Sequence, residues 1–271
     1  MKKVALLFIT ILLISFHPPK KKWIAIGDSI TYLNDHQNET GNRITSGYMT
    51  RVHKKLPWLE FENQGHNGWT SGQIAAEFDK LGIGKADVYT VFLGTNDWWR
   101  GRPLGNMKDY ENKTGNNTVF GSFRIIIDKL RALNKDARII LITPMQRVDF
   151  VYINDMNNNA WGSYRDKNGQ SLASFAAAIR LIADHEKLSI VNLFNHKKMS
   201  YEHLVKFKLL KDTTTGEYKK FRYPDYIQVP FDPKKDQYPY PKEAIDITYD
   251  GLHPSDKGYD IIAKSLIKLL K

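Results

Sequence analysis

The chain has 271 residues, 42% hydrophobic and 25% charged, with a formal net charge of +11 and no cysteine. That composition suits one large α/β domain with a sizeable core and excludes a chain that is disordered throughout. The absence of cysteine excludes disulfides, thiol catalysis, zinc–cysteine sites and a lipidated N-terminal cysteine, while the positive charge is scattered in lysine pairs rather than gathered in an arginine-rich helix, so a solvated basic surface is expected and nucleic-acid binding is not.

Met1-Lys2-Lys3 followed by the apolar residues 4–16 forms a secretory-signal pattern, shorter than the roughly 18 to 20 residues of a bilayer span. Residues 1–16 are therefore read as a signal peptide or, because no small-x-small cleavage site follows, an uncleaved N-terminal anchor. The expected location is secreted or periplasmic, with no stable membrane span after cleavage. Residues 17–271 are read as a single domain.

A first buried strand is predicted over residues 23–26. It ends at Gly27, where a sharp turn is permitted, with Asp28 and Ser29 at its carboxyl end. Residues 46–56 carry Tyr48, Val52 and Leu56 at helical spacing, and a second strand follows at 59–63. Gly65 begins a turn, and Ser71 is placed as the cap of a short helix bearing Ile74 and Phe78. A third strand, 88–93, runs into Gly94-Thr95-Asn96-Asp97. Residues 98–117 read as a polar loop, and Phe123, Ile126, Ile127, Leu130 and Leu133 mark an amphipathic helix. A fourth strand is predicted at 137–142, an asparagine-rich loop at 146–170, a helix at 171–186 and a fifth strand at 188–193. Regularity then fails, and residues 195–245 read as an irregular surface insertion with local helix near 201–210. The last helix is predicted at 255–270.

Strands alternating with helices predict a mainly parallel five-stranded sheet in a three-layer α/β/α sandwich, flavodoxin-like in order. In such a sheet the turns after the first three strands share one edge, where ligands bind. Asp250-Gly251-Leu252-His253-Pro254 precedes the last helix, with a carboxylate and an imidazole three residues apart. The carboxylate can hold one ring nitrogen while the other faces a serine hydroxyl.

These four segments together resemble the SGNH hydrolases, also called the GDSL esterase/lipase family. Gly27-Asp28-Ser29-Ile30 matches the first block, Asn63-Gln64-Gly65-His66-Asn67-Gly68 is similar to the second, Gly94-Thr95-Asn96-Asp97 matches the third and Asp250-Gly251-Leu252-His253-Pro254 the fifth. The resemblance implies a serine ester hydrolase without metal or cofactor. It implies Ser29, Asp250 and His253 as the catalytic residues, and the N–H groups of Ser29 and Gly68 with the amide of Asn96 as the oxyanion hole. Asp28 is expected to orient the turn, and Asp97 to serve its loop.

For the substrate, Trp69, Trp98, Trp99 and Trp161 fall in turns at the same edge, where exposed aromatic faces stack on sugar rings. Arg100, Arg102, Arg147 and Arg165 are candidates for carboxylates on acidic sugars. No apolar lid segment is visible. The first expectation is removal of O-acetyl groups from a carbohydrate. The alternatives are a lysophospholipase or general short-chain carboxylesterase and, in another class, a catalytically inactive carbohydrate-binding protein. The partner is thus an acylated small molecule or glycan. A flavodoxin-like nucleotide binder lacks its G-x-G-x-x-G turn or P-loop here.

Overall fold

A computed structural model describes residues 19–271; the expected signal segment, residues 1–16, lies outside them. Five strands form one parallel sheet: β1 (Lys21–Gly27), β2 (Leu59–Gly65), β3 (Val88–Phe92), β4 (Arg138–Ile142) and, late in the chain, Ser189–Val191. The order is β2-β1-β3-β4 and then Ser189–Val191, so the direction of winding reverses between β1 and β3. A crevice opens at that reversal, at the carboxyl ends of the strands.

Successive side chains on a strand point to opposite faces, and the sheet uses both. Trp23, Ala25, Val88, Phe92, Ile140 and Ile142 face one core. Tyr48, Met49 and Val52 of the helix Tyr48–Lys55 and Tyr259, Ile262 and Leu266 of the C-terminal helix Asp256–Leu270 cover that face. Ile24, Ile26, Tyr89, Val91, Ile139 and Leu141 face the other core, covered by the helices Ser71–Glu77, Val119–Leu133 and Leu172–His185. Near-continuous apolar strands are what a sheet buried on both faces requires.

Four expectations need correction. Thr70, not Ser71, caps Ser71–Glu77, because its side chain accepts the Gln73 N–H while Gln73 reaches back to the cap, a reciprocal capping box. The stretch read as polar loop, 98–117, opens on the end of a short helix, Thr95–Trp99, and contains another, Met107–Glu111. The asparagine-rich loop folds back as an antiparallel hairpin, Phe150–Tyr152 with Asp155–Ala160. Residues 195–245 do not lie wholly at the surface. Met199, Leu204, Val205, Leu210, Tyr226 and Tyr240 are buried in the same core as the C-terminal helix. Within that segment only Tyr201–Leu204 is α-helical; Lys208–Lys211 pairs with Tyr218–Phe221 as a second hairpin. Apolar residues dispersed among Lys, Pro and Asp show neither the 2 nor the 3.6 period, so their burial depends on the core they meet.

Among the described residues no helix is long and apolar enough to cross a membrane.

Candidate active site

Ser29 is the first residue of a four-residue helix that starts directly beyond β1. Asp28 caps it, its carboxylate accepting the Ile30 N–H at 3.0 Å. The turn is tight because Gly27 has no side chain: a Cβ there would run into Thr31 Oγ1. Tyr259 of the C-terminal helix donates to Ile30 O (3.0 Å), and Tyr48 OH meets Thr31 Oγ1 (3.0 Å). Two buried tyrosines on separate helices thus hold the serine turn against the sheet.

Asp250 and His253 lie on a loop closed by Tyr249 N–H to His253 O (3.0 Å) and Ser255 N–H to Ile247 O (2.8 Å). Asp250 is fully buried, and its Oδ1 accepts the N–H groups of Leu252 (3.0 Å) and His253 (2.7 Å). Its Oδ2 lies 2.7 Å from His253 Nδ1. On the far side of the ring, Nε2 lies 2.9 Å from Ser29 Oγ. The edge-on Phe150 and the stacked Tyr249, with ring centroids at 5.3 and 5.9 Å, restrict the imidazole. A carboxylate that fixes Nδ1 as the protonated nitrogen leaves Nε2 free to take a proton from the hydroxyl.

Gly68 stands at φ +74°, a left-handed conformation that disfavours residues with a Cβ. Its carbonyl accepts from Arg100 Nη2 (2.7 Å). Among the described residues no protein acceptor takes the amide proton of Ser29 or Gly68. Asn96 donates one amide hydrogen to Trp69 O (3.0 Å), which leaves the second available. Ser29, Gly68, Asn96 and His253 all line one cavity of about 290 Å³.

Asp97 ties the second and third turns together. Fully buried, it accepts from Ser71 N (2.9 Å) and Ser71 Oγ (2.7 Å), and Arg102 Nε lies 3.1 Å away at an angle unsuited to a hydrogen bond. Burial raises its carboxyl above the ordinary range, opposed by the Ser71 donors and by Arg102. Burial likewise pushes the Asp28 carboxyl up to about 6, against the Ile30 N–H and the charge of His253.

The four tryptophans separate. Trp98 is fully buried, with Nε1 donating to Gln170 O (2.9 Å), so it cannot stack on a substrate; it sits on a helix whose inner face packs into the sheet core. Trp69 stacks on His66 (4.5 Å), and Trp161 packs edge-on against Trp99 (4.7 Å). Of the four, Trp99 alone lines the cavity. Of the arginines, Arg100 and Arg147 line it and Arg102 and Arg165 do not. Phe150, Asn158, Asn159 and Ala160 form a wall that the sequence did not disclose, since their hairpin lacks alternation of apolar and polar residues.

A family model described as GDSL-like Lipase/Acylhydrolase family matches residues 25–261. Among solved structures the chain is similar to a possible lipase from Chitinophaga pinensis DSM 2588, with 56% identity, 93% of this chain and 98% of that chain covered, and a TM-score of 0.92. It shares its fold with a Lactobacillus plantarum protein (19% identity, 94% and 98% covered, TM-score 0.61) and with an acetyl xylan esterase (17% identity, 92% and 100% covered, TM-score 0.54). No curated protein matches the chain.

Proposed function

The chain belongs to the GDSL-like Lipase/Acylhydrolase family and is a hydrolase, and from that premise we propose that Ser29 is its nucleophile, that it works through an acyl-enzyme, and that it removes O-acetyl groups from a carbohydrate. The observation that carries this reading is the unbroken hydrogen-bond chain Asp250–His253–Ser29 at the mouth of a polar cavity. Ser29 Oγ attacks the ester carbonyl as His253 Nε2 takes its proton. The same nitrogen returns the proton to the leaving alcohol, and Asp250 supports the imidazolium between the two steps. The N–H groups of Ser29 and Gly68 and the Asn96 amide receive the oxyanion. Water then attacks the acyl carbonyl by the reverse route and releases acetate.

The acetyl assignment rests on cavity size and lining: about 290 Å³ is small for a fatty chain, and asparagines and arginines make much of its wall. Export through residues 1–16 completes the reading, because polysaccharide substrates lie outside the cytoplasm; the N-terminal mass of the protein recovered from a cell fraction checks it.

The test uses aryl esters and acetylated glycans. Aryl acetate is hydrolysed by the wild type, and Ser29→Ala lowers kcat on the order of 10⁶-fold with the fold intact by circular dichroism. Acetate is released from acetylated oligosaccharides. A second reading, a lipid ester hydrolase, is favoured by the 56% identity to the possible lipase from Chitinophaga pinensis; activity rising from acetate to octanoate and beyond selects it instead.

A further inference from the structure

The wall of the cavity beside Ser29 carries two cations and no carboxylate. Its lining includes two arginines and four asparagines and no aspartate or glutamate. Arg147 forms part of the wall yet is only 1% exposed. Its guanidinium rests on the rings of Trp98 and Trp99, 5.3 and 5.0 Å from their centroids. Among the described residues it makes one hydrogen bond, from Nη2 to Trp161 O at 2.7 Å, while the buried Nε has no partner. Arg100 sits exposed at the rim, directed by Gly68 O and Gln73 Oε1, both neutral acceptors. The other two candidate arginines differ. Arg102 is paired with Asp97 and also donates to Asn116 O and Ser122 Oγ, and Arg165 donates to Ile227 O, away from this wall.

A guanidinium held out of water without an anion is unfavourable unless something supplies the charge. Stacking on two indoles offsets part of that cost but leaves donors open. With low-dielectric walls around it, the cation projects a field into the cavity that bulk water screens poorly. Burial pulls the Arg147 guanidinium down to about 10, against the nearby charges of Asp149 and Asp250, neither of which pairs with it directly, so it remains charged at neutral pH.

We propose that Arg147 in the wall and Arg100 at the rim form an anion-selecting subsite, so that the alcohol half of the ester carries a carboxylate, as in an acetylated glycan containing uronic acid. This deepens the esterase reading above and rests on it. A planar guanidinium meets a carboxylate with parallel donors. The Trp99 ring and the Asn158 amide, on the same lining, suit the sugar ring that bears that carboxylate.

The experiment compares kcat/KM of the full chain on acetylated oligogalacturonides and on acetylated xylo-oligosaccharides of equal length, with acetylglycerol phosphate as a third substrate. The acidic sugar is favoured by about tenfold or more, the scale of one charge-assisted contact. The preference shrinks as sodium chloride rises from about 50 to 500 mM, where the Debye length shortens severalfold. Arg147→Met and Arg100→Gln each reduce the acidic-to-neutral ratio roughly tenfold, chiefly through KM. Should Arg147→Met fail to fold, the exposed Arg100→Gln and the salt series decide. Equal rates on the two sugars, or a preference that survives both substitutions, overturn the subsite and leave the esterase standing. Fastest turnover of acetylglycerol phosphate overturns the carboxylate. No turnover of any ester, aryl acetate included, removes the esterase reading itself and this subsite with it.

Discussion

Asp28 is two percent exposed and sits beside the proposed nucleophile, yet its clearest consequence is for stability. Burial lifts its folded pKa from 3.8 to about 6. Between those values the unfolded chain has lost the proton and the folded chain has kept it. Stability from this group is therefore present below about pH 4 and declines as pH rises through 6. Asp28→Asn keeps an oxygen to accept the Ile30 N–H and removes the buried charge. We expect it to raise Tm above pH 6 by an amount equivalent to about 1–3 kcal/mol and to leave Tm little changed near pH 4; thermal melts at both pH values measure it. Asn96 tests the other side of the site. Asn96→Ala is expected to lower kcat for aryl acetate roughly 10²–10³-fold with a small change in KM, because an oxyanion donor acts mainly in the transition state. A rise in KM with kcat unchanged would assign Asn96 to substrate binding instead.

Among the elements, the hairpin Lys208–Lys211 with Tyr218–Phe221 has the least expected role. Lys208 is 2% exposed and ion-paired with Asp149, which also accepts from Tyr164 OH and Gly162 N–H. Burial raises the Asp149 carboxyl but is outweighed by Lys208 and those donors, and it ends below its ordinary value; burial lowers the Lys208 ammonium despite its partner. The strand around Asp149 backs the histidine loop, with Val148 N–H to Gly251 O at 3.0 Å and Val151 N–H to Asp250 O at 3.2 Å. Tyr240 OH also donates to Asp149 O. The segment 195–245 therefore braces the loop that carries Asp250 and His253. Lys208→Met strands a carboxylate, and we expect a loss of roughly 3 kcal/mol by urea denaturation. Adding Asp149→Asn to it costs less than the sum of the single losses, because the two residues share one interaction.

For the whole molecule, the packing of 195–245 into the sheet's core argues for one cooperative unit. We expect tryptophan fluorescence, which reports on Trp23, Trp58, Trp69, Trp98, Trp99 and Trp161, and far-ultraviolet circular dichroism to give coincident urea transitions. Amides of Lys208–Lys211 that exchange with solvent orders of magnitude faster than those of β4 would divide the chain into two units instead.

Much of this architecture was legible in the order of residues. Apolar runs at β1, β3 and β4 and the 3.6 period of Val119–Leu133 and Asp256–Leu270 are local signals, set by the twofold repeat of a strand and the pitch of a helix. They imply a parallel sheet, and its connectivity sends the turns after β1, β2 and β3 to one edge. Gly27-Asp28-Ser29, Gly94-Thr95-Asn96-Asp97 and Asp250 with His253 were readable as chemistry because, taken together and in that order, they resemble the blocks of a hydrolase family, whereas Asp28-Ser29 alone reads equally as a helix cap. The tertiary structure decided what depends on contacts between distant residues. It buried Trp98 and left Trp99 at the cavity, although the two are adjacent in the chain and alike in chemistry. It paired Arg102 with Asp97 and left Arg147 without a direct ion pair. It drew the aperiodic segment 195–245 into the core. Local propensity describes a residue's own backbone; burial and pairing are properties of the neighbours that folding brings to it.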